Sequence, residues 1–388
     1  MRRSFALPRV LPVLACLALS AMALGTRADS CPAPGQWLRP AGEELDSVML
    51  MRELAGREVV LLGEQHDRMD HHRWQLHVVA GLHALEPDMA IALEMLPREA
   101  QPALDAWVAG ELDEVAFLEA SDWYAAWGFD AELYLPILHF ARLNRVPLRA
   151  INVSRKLRGR LAEAGWAAVP EAERFGITAP VEASPGYRQR LAEIHAQHMN
   201  GDDDGEGLER FIAAQLVWDR AMAAGLKQAS GETALVVGLI GQGHLQYGHG
   251  VPHQLVDLGI DDFATLLPWP AAGATCEPPP ADVAQALFGI VEHDEPVVSP
   301  PQLGILLASD GEGVAVEEVI EGSVAEAAGI EAGDVILRAA GETVTQPADL
   351  IGQVRRQPPG TLLPLVIRRR GEEREVLARF PPHEVTGH

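Results

Sequence analysis

Positive charge is scarce in this chain. Its 388 residues hold 31 Lys and Arg against 55 Asp and Glu, a formal net charge of −24. That balance offers no basic face to a phosphate backbone and argues against nucleic acid as a partner. Cysteine is rarer still, three in all, and no clean apolar stretch approaches the length of a membrane-spanning helix. Aromatics make up 5%, and only four are tyrosines, so two of those in one short segment, Tyr124 and Tyr134, stand out.

The N-terminus differs from the rest. Residues 1–28 carry arginines early, then an apolar run broken by prolines, then small residues ending in Thr26-Arg27-Ala28. This is the pattern of a secretory signal peptide, and it predicts export. Val13-Leu14-Ala15-Cys16 matches a lipoprotein cleavage box only in part, so a lipid tether to the membrane is the lesser expectation. Removal of the four signal arginines leaves a mature chain of −28. Two cysteines survive cleavage, Cys31 and Cys276, and an oxidising compartment favours their pairing. A loop that long closed by a bridge gains about 4–5 kcal/mol from chain entropy.

At this length two domains are expected. From 35 to 270 short aliphatic runs alternate with longer amphipathic ones. "EVVLLGE", "MAIALEML", "VPLRAIN", "TALVVGLIG" and "DFATLLP" are nearly continuous in apolar residues, as parallel strands covered on both faces are. The helical patterns between them predict an α/β fold with a mostly parallel sheet. Residues 271–300 are proline-rich and read as a linker with one short helix around 284–291. From 301 to 381 short, turn-punctuated strands and one helix predict a small, partly β domain. The acidic stretch 201–207 fails as a calcium loop: counting from Asp202, the bidentate glutamate position falls on Ala213.

Polar residues gather where the strands end. Glu64 and His66 follow the first run, Glu94 ends the second, Asn152 the third, and Gln242 and His244 follow the fourth. In an open parallel sheet these ends share one edge, where ligands sit. "GEQH" at 63–66 and "GQGH" at 241–244 repeat Gly-x-x-His after a buried strand. Two imidazoles with the carboxylate of Glu64 or Glu94 make a donor set suited to zinc, iron or manganese. Each residue also has an ordinary use: Asp67 as an N-cap, Asp70 in the first helical turn, His71 as a hydrogen-bonded core histidine. Trp123, Tyr124, Trp127, Phe129 and Tyr134 either line a cavity for a flat apolar ligand or form the core of a helical insertion.

"LLGEQHD", "ALEML", "YLPILHFARLNRVPLRAIN" and "GQGHLQYGHGVPHQL", in that order, resemble the ChaN-like haem-binding uptake proteins of the Tiki/TraB group. The resemblance spans about residues 40–270. It implies an exported, periplasmic haem-binding protein with a role in haem or iron uptake, and it matches Glu64, His66, Glu94, Tyr134, Asn152, His244 and His249 to the family motifs. Axial donors open to haem are Tyr134, Tyr124, His66 and His244, and Arg155 and Arg158 are placed to meet propionates. The same resemblance implies the alternative, a metal-dependent hydrolase with the paired Gly-x-x-His motifs holding metal and Glu64 or Glu94 as general base. A homodimer sharing one haem pocket stays open.

"VEEVIEGSVAEAAGIEAGDVILRAAGETVTQPADL" resembles the bacterial, HtrA-type PDZ domain. That implies recognition of a C-terminal peptide, or an envelope protein, by strand addition. The loop before the first strand matches Leu303-Gly304-Ile305, with Leu350 and Val354 as pocket residues on the helix.

Overall fold

In the computed structural model, the described residues are 31–198, 205–273, 276–291, 301–309 and 311–382. The expected signal segment, most of 201–207 and the end of the expected linker lie outside them.

Eight strands form the first sheet: β1 (Trp37–Leu38), β2 (Glu44–Leu45), β3 (Val59–Glu64), β4 (Met89–Pro97), β5 (Leu148–Asn152), β6 (Leu235–Gly241), β7 (Phe263–Pro270) and β8 (Ala286–Ile290). Their order is β2-β1-β8-β7-β3-β6-β4-β5. All neighbours from β8 to β5 are parallel, and β1 and β2 add an antiparallel edge. All five runs read as buried strands are strands.

Their uninterrupted apolar character has a cause in the layering. Val60 and Leu62 of β3 pack with Trp74, Val78 and Leu82 of the helix Met69–His83. Val59 and Leu61, pointing the other way, pack with Met222 and Leu226 of the helix Glu206–Ser230 and with Leu255 of the helix Val251–Asp257. Each such side chain is worth about 1.5–3 kcal/mol on burial, so a polar residue on either pleat is costly. The polar residues are displaced to the strand ends.

Two expectations are corrected. Residues 284–291 form no helix: Ala286–Ile290 is strand β8, paired with β7 and β1, so the linker cannot begin at 271. The five apolar residues "ALFGI" have no period that separates a buried strand from a helical turn. Asp67 does not cap the helix Met69–His83, whose N-cap position is Arg68 with no side-chain bond, although Asp70 does lie in its first turn.

The second sheet is antiparallel: β9 (Ile305–Ser309), β10 (Val314–Val319), β11 (Val335–Ala339), β13 (Leu362–Arg369) and β14 (Glu372–Arg379), in the order β14-β13-β11-β10-β9, with β12 (Glu342–Thr343) paired to β11. Among the described residues, two helices belong to this domain where the sequence pattern predicted one: the single turn Val324–Ala327, capped by Ser323, and Pro347–Arg355, started by Pro347 and a reciprocal Gln346–Asp349 capping box. Leu350 and Val354 of that helix are buried with Leu303 in this domain's own core. Gly304 has φ +75°, and a Cβ there would collide with Ser323, so the turn into edge strand β9 requires glycine.

Cys31 and Cys276 are bridged, with Cα atoms 6.3 Å apart. The bridge joins the chain before β1 to the segment between β7 and β8, and so ties the N-terminal edge to the middle of the sheet.

Candidate functional site

Strands β3, β6 and β4 lie side by side, so Glu64, Gly241 and Glu94 meet at their C-terminal ends, with Glu64 directly opposite Gly241. Both carboxylates are fully buried. Glu94 Oε2 accepts the Gly241 N–H at 2.6 Å, and Glu64 Oε1 stands 2.5 Å from His66 Nδ1. A Cβ at Gly241 would sit 2.7 Å from His66 Cε1. That glycine is needed for close approach of His66 and Glu94, not for an unusual turn.

His244 is held in the same way from another direction. Its Nδ1 meets Asp219 Oδ1 at 2.6 Å, and its Nε2 lies 3.7 Å from Glu94 Oε1. Asp219 is fully buried on the helix Glu206–Ser230 and also accepts the Tyr187 hydroxyl at 2.8 Å. Both imidazoles of the Gly-x-x-His pairs therefore bind a buried carboxylate through Nδ1, which orients Nε2 toward the strand ends.

Charge follows geometry. Burial pulls the His244 imidazole down, but the charge and hydrogen bond of Asp219, helped by both glutamates, leave it raised to about 9. His66 is also raised: burial opposes its charge, and Glu64 and Glu94 outweigh burial. Glu94 is raised, chiefly by burial. One oxygen of each glutamate, Glu64 Oε2 and Glu94 Oε1, is buried without a hydrogen-bond partner.

Beside this cluster opens a cavity of about 530 Å3. His66, Met95, Pro97, Trp127, Phe129 and Trp218 form apolar and aromatic parts of its wall, and Asn152, Ser154, Arg155 and Arg158 a polar side, with Glu99 and Asp122 also present. Trp127 and Phe129 meet the His66 ring edge-on at 4.5 and 5.0 Å. Arg158 stacks over Trp218 at 4.5 Å, and burial, with Arg155 nearby, holds its pKa below the usual guanidinium value. Neither Arg155 nor Arg158 forms an ion pair among the described residues, in a chain rich in carboxylates.

The sequence-predicted residues separate accordingly. Glu64, His66, Glu94 and His244 converge, and His66, Asn152, Arg155 and Arg158 reach the cavity. Asn152 spends its amide on structure, donating to Glu94 O and accepting from Val153 N. Tyr134 is not presented to the cavity. It is packed against His72, Trp123 and Trp127, its hydroxyl faces His66 O at 3.4 Å, and burial drives its pKa far above the phenol range. Tyr124 faces the second domain, under the Arg355 guanidinium. His249 lies elsewhere, stacked on Tyr187 and 3.4 Å from Ser184 Oγ. Asp219 and Trp218 were missed, although an aspartate inside the apolar run "AAQLVWDRAMAAGL" is the kind of residue that needs a buried partner.

His71 is a core histidine, accepting the Gln65 N–H at Nδ1 over 3.0 Å. Burial, with His72 and Arg68, pushes it down from 6.5 to about 4. The unfolded chain takes up this proton first, so the contribution of His71 is intact above pH 6.5 and is lost as pH falls toward 4. About 3 kcal/mol of stability is expected to disappear across that window. Urea midpoints at neutral and acid pH measure it, and His71→Asn, which keeps an acceptor that does not titrate, should show a shallower loss.

Comparison with known proteins agrees with this architecture. The haem-binding uptake family of the Tiki superfamily, ChaN, matches residues 50–255, more than half of the chain. This chain belongs to that family. A PDZ domain matches residues 315–369. Among solved structures, the one described as cofacial haem binding to ChaN of Campylobacter jejuni aligns over 66% of this chain and 97% of its own, with a TM-score of 0.53 and 18% identity. It shares the fold. The PDZ domain of HtrA3 bound to a phage-derived ligand is 22% identical over 20% of this chain and 83% of its own, with a TM-score of 0.19. No curated protein matches.

Proposed function

We propose that the ChaN-like domain binds haem in the cavity beside His66, and that the protein serves haem or iron handling after export to the periplasm. The observation that carries this reading is a cavity of about 530 Å3, ample for a large planar ligand, with an imidazole in its wall whose Nδ1 is already held by Glu64. His66 Nε2 has no hydrogen-bond partner among the described residues and would supply the axial nitrogen. Arg155 and Arg158, without carboxylate partners, would take the propionates, and Trp127, Phe129 and Trp218 would cover the ring. Bound haem would supply iron chemistry; the residues themselves bind, orient and exclude water.

The PDZ domain would bind a C-terminal peptide of an envelope protein at edge strand β9, between the Leu303-Gly304-Ile305 turn and the helix that carries Leu350 and Val354. A hemin titration of residues 29–388 tests the first half. A saturable Soret shift is expected, absent in His66→Ala and weakened on the order of ten-fold in Arg158→Ala. Unchanged titrations in both variants would place the ligand elsewhere.

A second reading rests on the two orphaned oxygens. Glu64 Oε2 and Glu94 Oε1 are buried without a hydrogen-bond partner beside two anchored imidazoles, a donor set for a small divalent cation in a hydrolase of the Tiki kind. The donors are right in type, but among the described residues no three of them stand at ligation spacing. Metal content of the purified protein decides: stoichiometric zinc, iron or manganese, lost in Glu94→Gln, supports a cation, and a protein purified without any counts against one.

A further inference from the structure

The helix that borders the PDZ groove has a second face, and that face is packed on the wall of the cavity. Arg355 lies 5.2 Å over the Tyr124 ring and donates to the carbonyl of Gly128, across 227 residues of sequence. At Gly352 a Cβ would already be 3.3 Å from Tyr124 Cε2. Asp122, which starts the short helix Trp123–Ala126 in a left-handed conformation, lines both the cavity and the cleft between the domains. On its inner side the same segment presents Trp127 and Phe129 to His66.

We infer that occupancy of the PDZ groove and occupancy of the cavity are linked, with peptide docking weakening retention of the cavity ligand. This rests on the proposed haem and peptide binding. A peptide entering beside β9 must be accommodated between that strand and the helix Pro347–Arg355. Leu350 and Val354 occupy the inner face, so the helix gives outward, toward Tyr124, which stands so near Gly352 that even one added carbon would press on its ring. Pressure on Tyr124 and Gly128 is pressure on Trp127 and Phe129, because all four belong to one short stretch of chain, and the cavity narrows around His66. Linkage is reciprocal: the ligand in the cavity weakens peptide binding by the same factor.

The test uses the full mature chain and a peptide with an apolar C-terminal residue and a free carboxylate, with its C-terminal amide as control. The free peptide is expected to raise the hemin dissociation constant by about five-fold or more, and the amide to leave it unchanged. Arg355→Ala should retain both ligands and bring the factor toward one. Hydrogen exchange of residues 120–129 with and without peptide reads the same coupling without hemin. Peptide that binds the groove while leaving both exchange there and hemin affinity untouched overturns the inference. If exchange responds but hemin never binds saturably, the coupling stands and the haem reading falls. If no such peptide binds at all, the linkage falls together with the peptide reading.

Discussion

Asp219→Ala is expected to cost about 3–5 kcal/mol of stability and to release His244 from its orientation. The carboxylate is fully buried and satisfies two groups at once, His244 Nδ1 at 2.6 Å and the Tyr187 hydroxyl at 2.8 Å. Alanine leaves both without a partner, Tyr187 fully buried and His244 largely so, and the desolvation penalty of each falls on the folded state alone. Asp219→Asn should be milder, because the amide oxygen still accepts one of the two bonds while its NH2 opposes the other. Urea denaturation of the three proteins at pH 7 measures the series. A loss below about 1 kcal/mol for alanine would mean that water reaches the pair and that Asp219 does not hold His244.

Opening the Cys31–Cys276 bridge is expected to have an effect of similar size. The bridge spans 245 residues, and in the chain-entropy model a loop of that length restricts the unfolded chain by about 5.5 kcal/mol, slightly above the expected range. The folded protein uses the constraint at a weak point. β1 is two residues long and lies one strand in from the edge of the sheet, between β8 and the equally short edge strand β2. So short a strand has little ladder energy of its own, and the bridge keeps it beside β8, where the Gly35 N–H reaches the Gly289 carbonyl at 2.8 Å. Reductant, or the Cys31→Ser and Cys276→Ser double variant, should lower the melting temperature by about 10 °C. Exchange protection should be lost first at β1 and β8. An unchanged melting temperature with loss confined to residues before 39 would show that the edge frays without consequence for the sheet.

Parts of this arrangement were legible in residue order. The central strands could be read because each is buried on two faces, and a run with no polar residue on either pleat admits few other readings. Glu64, Glu94, His66 and His244 could be read because they interrupt that rule at equivalent places. Tyr134 could not be placed in this way. It precedes a helix whose rotation decides whether the phenol enters the cavity or the core, and packing against His72 and Trp123 decides for the core. His249 sits soon after His244 in the chain, but the turn at Tyr247, with φ +63°, and Gly248 carries it to the Tyr187 side. β8 was invisible because its apolar residues acquire a strand conformation only from the β7 and β1 ladders.

Residue order alone set the net acidity, the two-domain order, the parallel central sheet and the chemical kinds of donor at its edge. These follow from composition and local hydrophobic period, which act over a few residues. Which donors meet was settled by packing in three dimensions. Asp219 reaches His244 from a helix 25 residues earlier, Glu94 reaches Gly241 across 147, and Arg355 reaches Gly128 across 227. Such contacts depend on strand order, helix rotation and domain docking, and no local pattern encodes those three.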